Sequence, residues 1–172
     1  SCLRYELLPK GIIQMTLECI AHKDTFSNGY IGLFWASYIH QPESLDIHFP
    51  GWPNIGNRVK EIELPAPTII RGITPEHGVK ATHRSLQDIR QLQHDETFPL
   101  SLVFGHSEHR YSDPWFYGVS NGMGFAQIFR TNDNIRITQS PSGGGQGNPA
   151  WDFQFIVENY QITEISYLPN KS

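Results

Sequence analysis

Residues 30–39 read YIGLFWASYI, a run of aromatic and β-branched side chains that is typical of a β-strand. Residues 45–49 read LDIHF, in which the apolar side chains alternate with Asp46 and His48. This period of two predicts a strand with one buried face, and we expect Asp46 and His48 on its solvated face. These two segments therefore predict that the chain is built mainly from β-strands.

The same signals recur along the chain about every 8–12 residues, with turn residues between them, a spacing typical of a β-sandwich or barrel. Further strands are predicted at 3–8, 12–20, 62–73, 100–104, 115–119, 124–130, 135–138, 152–160 and 161–167. One short helix is predicted from Ser85 to Leu92, because Ser85 and Asp88 have the spacing of a helix cap. We expect an all-β, antiparallel β-sandwich with at most one or two short helices, forming a single domain over residues 1–172.

Composition narrows the classes of partner. The formal net charge is −4 and the chain has no basic block, so nucleic acid is disfavoured as a ligand. No apolar run approaches the roughly 18 residues that a membrane helix needs, so we expect a soluble chain and no membrane partner. The two cysteines, Cys2 and Cys19, fall on opposite faces of their predicted strands, with Cys19 on the core face, which predicts two free thiols.

Three segments carry a resemblance to a known family. They are residues 4–7 (RYEL), residues 30–39 and residues 148–155 (NPAWDFQF). In texture and strand order they resemble proteins with the galactose-mutarotase-like fold, an antiparallel β-supersandwich found in aldose epimerases and in domains of carbohydrate-active enzymes. The resemblance implies a carbohydrate ligand. Because such domains are longer, it also implies that N-terminal strands are missing here, and it carries over no catalytic residue.

The densest polar cluster spans residues 106–113 (HSEHRYSD), which we expect to form a loop after the strand at 100–104. Imidazole and carboxylate groups are the usual acid–base pair near neutral pH, so His106, Glu108 and His109 are the candidate catalytic residues. Arg110 and Asp113 are candidate substrate ligands. The alternative is a solvated loop without a functional role, whose aromatic neighbours pack on the sheet edge.

A metal site is a second, weaker hypothesis for the same cluster. His106 and His109 are three residues apart, and His83, His77 or His40 could complete a ligand set. His-x-x-His alone has little specificity, so we expect no required metal. The glycine-rich stretch at 143–147 has no Lys-Ser/Thr after it and is not a phosphate cradle. We expect no cofactor.

The four tryptophans are the third feature of interest. Indole rings stack on the C–H faces of sugars, while polar groups take the hydroxyls. Trp52, in a Pro/Gly loop, and Trp115, after the polar cluster, are the candidate sugar platforms, whereas Trp35 and Trp151 are expected in the core.

These observations favour a carbohydrate-binding or carbohydrate-processing domain, with aldose-epimerase-like proton transfer on a sugar ring if it is catalytic. The alternative is a non-enzymatic β module whose sheet face contacts another protein or a second copy of the chain as a homo-oligomer. A concave face that gathers the polar groups would favour the first reading, and an exposed apolar patch the second.

Overall fold

A computed structural model describes residues 1–58, 63–74, 80, 82–93, 105–141 and 147–162. The chain divides into two compact units, which we call the hairpin unit (Ser1–Ile31 with the residues from Val157 onward) and the sheet unit (Gly32–Ile156). The described residues form no α-helix, only short 3-10 turns. No helix among these residues is long and apolar enough to cross a membrane. The strand predicted at 100–104, most of the one at 161–167 and most of the glycine-rich stretch lie outside the described residues.

The hairpin unit contains strands β1 (Cys2–Leu8) and β2 (Ile12–Glu18), joined by a 3-10 turn at Pro9–Gly11 in which Lys10 has a φ of 66°. The antiparallel register pairs Cys2 with Glu18. Because facing residues share a side of the ladder, Cys19 points to the other side, and both cysteines are free thiols. Cys19 is nevertheless exposed and not part of a core, as are large apolar side chains of its face such as Leu7 and Ile13.

The remaining strands form one curled, mixed, nine-stranded sheet in the described part of the chain, with the order β3-β11-β10-β6-β7-β4-β8-β9 and β5 paired with β4. Their bounds are β3 Tyr30–Trp35, β4 Ile47–Trp52, β5 Thr68–Gly72, β6 Thr82–Ser85, β7 His106–Tyr111, β8 Trp115–Ser120, β9 Met123–Ile128, β10 Arg136–Ser140 and β11 Ala150–Glu158. The all-β, sandwich-like fold class is thus confirmed. One correction concerns strand direction, since β6 and β7 run parallel and the sheet is not purely antiparallel.

The sheet forks at β4. One edge of β4 pairs with β5, while the other edge pairs with β8 through His48 and with β7 through Gly51 and Trp52. Pro50 lies between these two pairings, where its carbonyl accepts a hydrogen bond from Ser112 N at 2.9 Å. A proline has no N–H to donate, and at this position between β7 and β8 no neighbouring strand requires one. The expected Pro/Gly loop therefore begins only after Trp52.

Close approach explains the glycine that follows. A Cβ built on Gly51 would lie 2.1 Å from the carbonyl oxygen of Arg110, so a side chain at this position would separate β4 from β7. The residue that favoured a loop in the sequence is the one that lets two strands meet.

The core lies on one face of this sheet and centres on Trp151, which is fully buried. The predicted core side chains Ile47 and Phe49 belong to the same cluster. Asp46 departs from the expected solvated face: it is buried, accepts a hydrogen bond from Arg71 Nε at 2.7 Å and caps Thr74 N at 2.8 Å.

The helix predicted at Ser85–Leu92 does not form. Ser85 Oγ accepts a hydrogen bond from Asp88 N at 3.1 Å, as the cap spacing suggested, but the chain continues as a turn followed by residues without regular secondary structure. The reason is tertiary. The Asp88 carboxylate binds Arg136 Nε at 2.7 Å and Arg90 Nε at 2.8 Å, and these buried ion pairs outweigh the weak helix preference of a short segment.

Gly118 tests the packing of the core, because its built Cβ would lie 2.1 Å from the Trp151 ring. We expect Gly118→Ala to lower the free energy of unfolding by about 1–3 kcal/mol, the usual range for an overpacked core. Gly124→Ala, on the neighbouring strand with nothing within 4 Å, is the matched control and should leave stability nearly unchanged. Urea unfolding measures both, and equal effects would contradict the assigned position of Trp151.

Candidate functional site

The polar cluster predicted as a loop is mostly a strand. His106–Tyr111 is β7, and only the Ser112–Pro114 turn separates it from β8. Side chains of a strand alternate between its two faces. Ser107 and His109 therefore point to one side of the sheet and His106 and Arg110 to the other, so the cluster is divided and cannot act as one group.

A pocket of about 190 Å³ lies against β6 and β7 in the sheet unit. It gathers two imidazoles, a carboxylate, an ammonium group, a hydroxyl, an amide and one aliphatic side chain, contributed by Asn54, Ile73, Lys80, His83, Ser107, Glu108 and His109. Convergence of polar and ionisable groups in one pocket is the usual mark of a binding site.

A hydrogen-bonded relay forms the floor of this pocket. Gln139 Nε2 donates to the carbonyl of Gly72 at 2.8 Å and to Thr74 Oγ1 at 2.8 Å, which leaves its Oε1 facing His83 Nε2 at 2.6 Å. Because a carbonyl oxygen can only accept, this arrangement assigns the amide orientation and makes His83 Nε2 the protonated nitrogen. His83 Nδ1 then carries a lone pair, and it accepts the Ser107 hydroxyl at 2.6 Å.

The relay is neutral. His83 is fully enclosed, and desolvation lowers its pKa to about 4 even though the bond to Gln139 acts in the opposite direction. Gly72 makes the geometry available, because a Cβ there would lie 2.7 Å from Gln139 Oε1 and 3.2 Å from His83 Nε2. A larger residue at this position would displace the bond between the two side chains.

His109 forms one wall of the pocket. Its ring lies parallel to that of His83, with centroids 6.0 Å apart and an interplanar angle of 17°. The backbone N–H of Asn54 donates to His109 Nδ1 at 3.2 Å, so the proton of the neutral ring sits on Nε2. Partial burial lowers the pKa of His109 despite the nearby Glu108 carboxylate, which favours this neutral form.

Glu108 and Lys80 form the open rim. Their charged groups are 3.9 Å apart, and both side chains are more than half exposed. An exposed pair of this kind contributes little to stability, so both groups are free to contact a ligand.

The structure separates the remaining predicted site residues from the pocket. His106 and Arg110 point to the other face of β7, and Arg110 is buried, donating to the carbonyls of Gly56, Ser85 and Asp88. The register pairs Trp52 with Arg110, and the Trp52 Nε1–H donates to the carbonyl of Pro65 at 2.7 Å.

Asp113 and Trp115 also lie apart from the pocket lining. Asp113 is exposed in the turn after β7, where it accepts the Ser112 hydroxyl at 2.8 Å, and Trp115 stacks on Tyr117 with centroids 6.4 Å apart. Of the predicted residues, the structure therefore brings together Glu108 and His109, and the roles of the others stay predictions.

A second pocket, of about 300 Å³, is larger but chemically plainer. It is lined by Ser85, Gln87, Tyr111, Ser112, Pro114, Thr131, Asn132 and Asn134. Its phenol, Tyr111, donates to the carbonyl of Ile135 at 2.6 Å, and burial raises the pKa of that phenol. The smaller pocket, which holds most of the ionisable groups, is therefore the candidate functional site.

No group of three or more His, Cys, Asp or Glu side chains capable of holding a metal occurs among the described residues. The division of β7 explains part of this result, because His106 and His109 point to opposite faces of the sheet.

Sequence reasoning missed Gln139, Lys80, Gly72 and the serine partner of His83. Gln139 and Gly72 belong to β10 and β5, which are remote from β7 in sequence and gave no local motif. The sequence signal that could have found Ser107 is the alternation along residues 106–111, and it was missed because this stretch was predicted to be a loop.

No protein-family model matches the chain, and no similar protein was found among curated proteins or solved structures.

The buried His83 makes a pH-dependent prediction. Between about pH 6.5 and 4, His83 binds a proton in the unfolded chain but not in the folded one. The contribution of His83 to stability is therefore complete above pH 6.5. Below that pH the free energy of unfolding falls by about 1.4 kcal/mol per pH unit. NMR titration of the imidazole should show no protonation of His83 above pH 5 and a proton on Nε2. A titration midpoint near 6.5 would contradict the buried relay.

Proposed function

We propose that the pocket of about 190 Å³ binds a single sugar ring or a polyol of that size. The proposal rests on the rim of the pocket, where the Glu108 carboxylate lies 3.9 Å from the Lys80 ammonium and where His109 also lines the pocket. A carboxylate can accept hydrogen bonds from two neighbouring hydroxyls, while the ammonium and imidazole N–H groups donate to ring and hydroxyl oxygens.

The walls supply the apolar contact that a sugar ring also needs. Ile73 and the flat face of His109 line the same pocket, and both can pack against C–H groups. The resemblance of residues 30–39 and 148–155 to galactose-mutarotase-like proteins supports the same class of ligand, and we include membership of that supersandwich type in the proposal.

The same groups can perform proton transfer. On an aldose, Glu108 would accept the proton of the anomeric hydroxyl as the ring C–O bond breaks and the carbonyl forms. Lys80 would donate a proton to the ring oxygen, while the neutral His109 would donate only a hydrogen bond from its Nε2–H. Reclosure on either face of the carbonyl reverses these transfers and interconverts the anomers.

The test is a calorimetric or NMR screen of monosaccharides, with polarimetry of freshly dissolved α-glucose for anomer exchange. We expect saturable binding that Glu108→Gln weakens by about tenfold or more, because a charged acceptor is lost. Glu6→Gln, on the exposed hairpin, is the matched control and should change nothing. Absence of binding by every sugar would favour the non-enzymatic interaction module instead, and sugar binding that survives Glu108→Gln would overturn the assignment of the site to this pocket.

A second candidate function is acyl transfer, favoured by the relay. The Ser107 hydroxyl is 2.6 Å from the lone pair of His83 Nδ1, and Gln139 orients the opposite side of the ring. This is the arrangement of nucleophile, base and orienting group used for covalent catalysis. Ser107 Oγ would bond to an acyl carbon while its proton passes to His83, which returns it to the departing alcohol, and water would then release the acid.

Labelling by a fluorophosphonate probe tests this second candidate. We expect modification of Ser107 and slow hydrolysis of p-nitrophenyl acetate, both lost in Ser107→Ala. Ser112→Ala is the control, because Ser112 bonds to Asp113 outside the relay. Intact mass without an adduct in the wild type would reject the nucleophile and leave the sugar proposal standing.

A further inference from the structure

The opposite face of β6 and β7 carries a row of buried polar side chains. The register pairs Arg110 with Arg84 and Arg136 with Gln154, and the pairing of Ile137 with His83 brings Arg136 opposite Arg84. We call Arg84, Arg110 and Arg136 the arginine row. Each of the three is at least 97% buried. Side chains that face each other on neighbouring strands are about 5 Å apart at Cβ, where like charges repel.

Only part of this charge is matched. Asp88, fully buried, binds Arg136 through Nε and Nη2, and it also binds Arg90. Arg110 is satisfied by carbonyl oxygens and by Asn57 Oδ1. The three guanidinium groups of the row and that of Arg90 thus share one fully buried carboxylate among the described residues, that of Asp88. An uncompensated buried cation is costly, and proteins usually pair it.

Two other carboxyl groups lie on the row's side of their strands, but neither is a fully buried ionised partner. The charge of Glu108 acts on Arg84 and Arg110 and offsets part of their mutual repulsion. Glu108 is half exposed and faces Lys80, and Asp152 accepts a hydrogen bond from Ser37 N at 2.6 Å. Burial also raises the pKa of Asp152 to about 7, which weakens it as a counter-charge.

The unmatched charge coincides with unpartnered donors. Arg84 donates through Nη2 to Asn57, but its Nε and Nη1 are buried without a hydrogen-bond partner in the described part of the chain. The same holds, among those residues, for Arg136 Nη1, for His106 Nε2, and for both the Nε2 donor and the Oε1 acceptor of Gln154. Native structures rarely leave several buried donors unsatisfied, and several together point to a missing acceptor.

The pKa shifts of two residues bear on the charge of that acceptor. Desolvation and the neighbouring Arg110 lower the pKa of Arg84 to about 10, and desolvation with the charges of Arg84 and Arg136 lowers that of His106 to about 4. Desolvation is the largest cause of both shifts. The neighbouring guanidinium groups lower both pKa values further, although the Asp88 charge acts in the opposite direction, and this repulsion favours an anionic acceptor.

We propose that the arginine row is a binding site for a small oxyanion of the phosphate or sulfate class, held by Arg84, Arg136 and Gln154. Such an anion accepts hydrogen bonds through several oxygens at once and supplies the negative charge that the row lacks. It must be small, because the donor atoms are enclosed. The row and the relay lie on opposite faces of β6 and β7, since His83, Ser107 and His109 alternate along their strands with the residues of the row. Glu108, at the rim of the sugar pocket, is on the row's side of β7 but is half exposed.

Binding and stability measurements on the full chain test the proposal. In calorimetry we expect saturable binding of inorganic phosphate or sulfate, and a melting temperature that rises with their concentration beyond the effect of chloride at equal ionic strength. Arg84→Gln should weaken binding about tenfold or more, because it removes the charge and the two unpartnered N–H groups. Arg130→Gln, an exposed arginine paired with Asp133, is the matched control.

The sign of the stability change separates binding from a structural role. In chloride, Arg84→Gln should be as stable as the wild type or more stable, because a repelling charge is gone, and in phosphate it should be the less stable of the two. Equal destabilisation in both salts would overturn the proposal. Gln154→Met, whose amide makes no hydrogen bond to the described residues, is the second variant should Arg84→Gln not fold, and unchanged anion affinity in it would likewise overturn the proposal.

Discussion

The Asp88 carboxylate is the interaction on which the sheet unit most depends. It lies fully buried beneath the strands and forms a side-on pair with Arg136 while also binding Arg90, and its backbone carbonyl accepts from Arg110. Ion pairing with these arginines holds its pKa well below the ordinary value, against the effect of burial. Removing one partner of a buried pair leaves the other charge uncompensated, so this side chain governs whether several strands can keep arginines in the interior.

Strand alternation then gives one pair of strands two unlike faces. On one side of β6 and β7, His83 and Ser107 form a neutral relay closed by Gln139, while on the other side Arg84 and Arg110 bring concentrated positive charge. Burial keeps His83 and His106 neutral on their respective faces. The two proposed ligands differ accordingly: a hydroxylated molecule for the pocket beside the neutral relay, and an anion for the face that carries the guanidinium groups.

The fork at β4 links the two faces. Since β4 ends at Trp52, the loop after it passes along the edge of β7, where Asn54 N donates to His109 Nδ1 and the carbonyl of Gly56 accepts from Arg110 Nε. A single short loop thereby fixes the tautomer of one pocket residue and saturates one member of the arginine row. Pro50 and Gly51 make this possible, because the first needs no ladder donor and the second leaves room for the backbone of β7.

The sequence by itself determined the strands and their faces wherever alternation is local, as in the β1–β2 hairpin, where the period of two places Cys2 and Cys19 on opposite sides. It also placed Glu108 and His109 among the candidate residues. Only the tertiary structure decided that residues 106–111 form a strand with two faces, that Ser85–Leu92 is not a helix, and that Gln139 completes a relay with His83. The physical reason is that burial and charge pairing depend on residues far apart in the chain, and a local pattern carries no information about which distant strand supplies the partner.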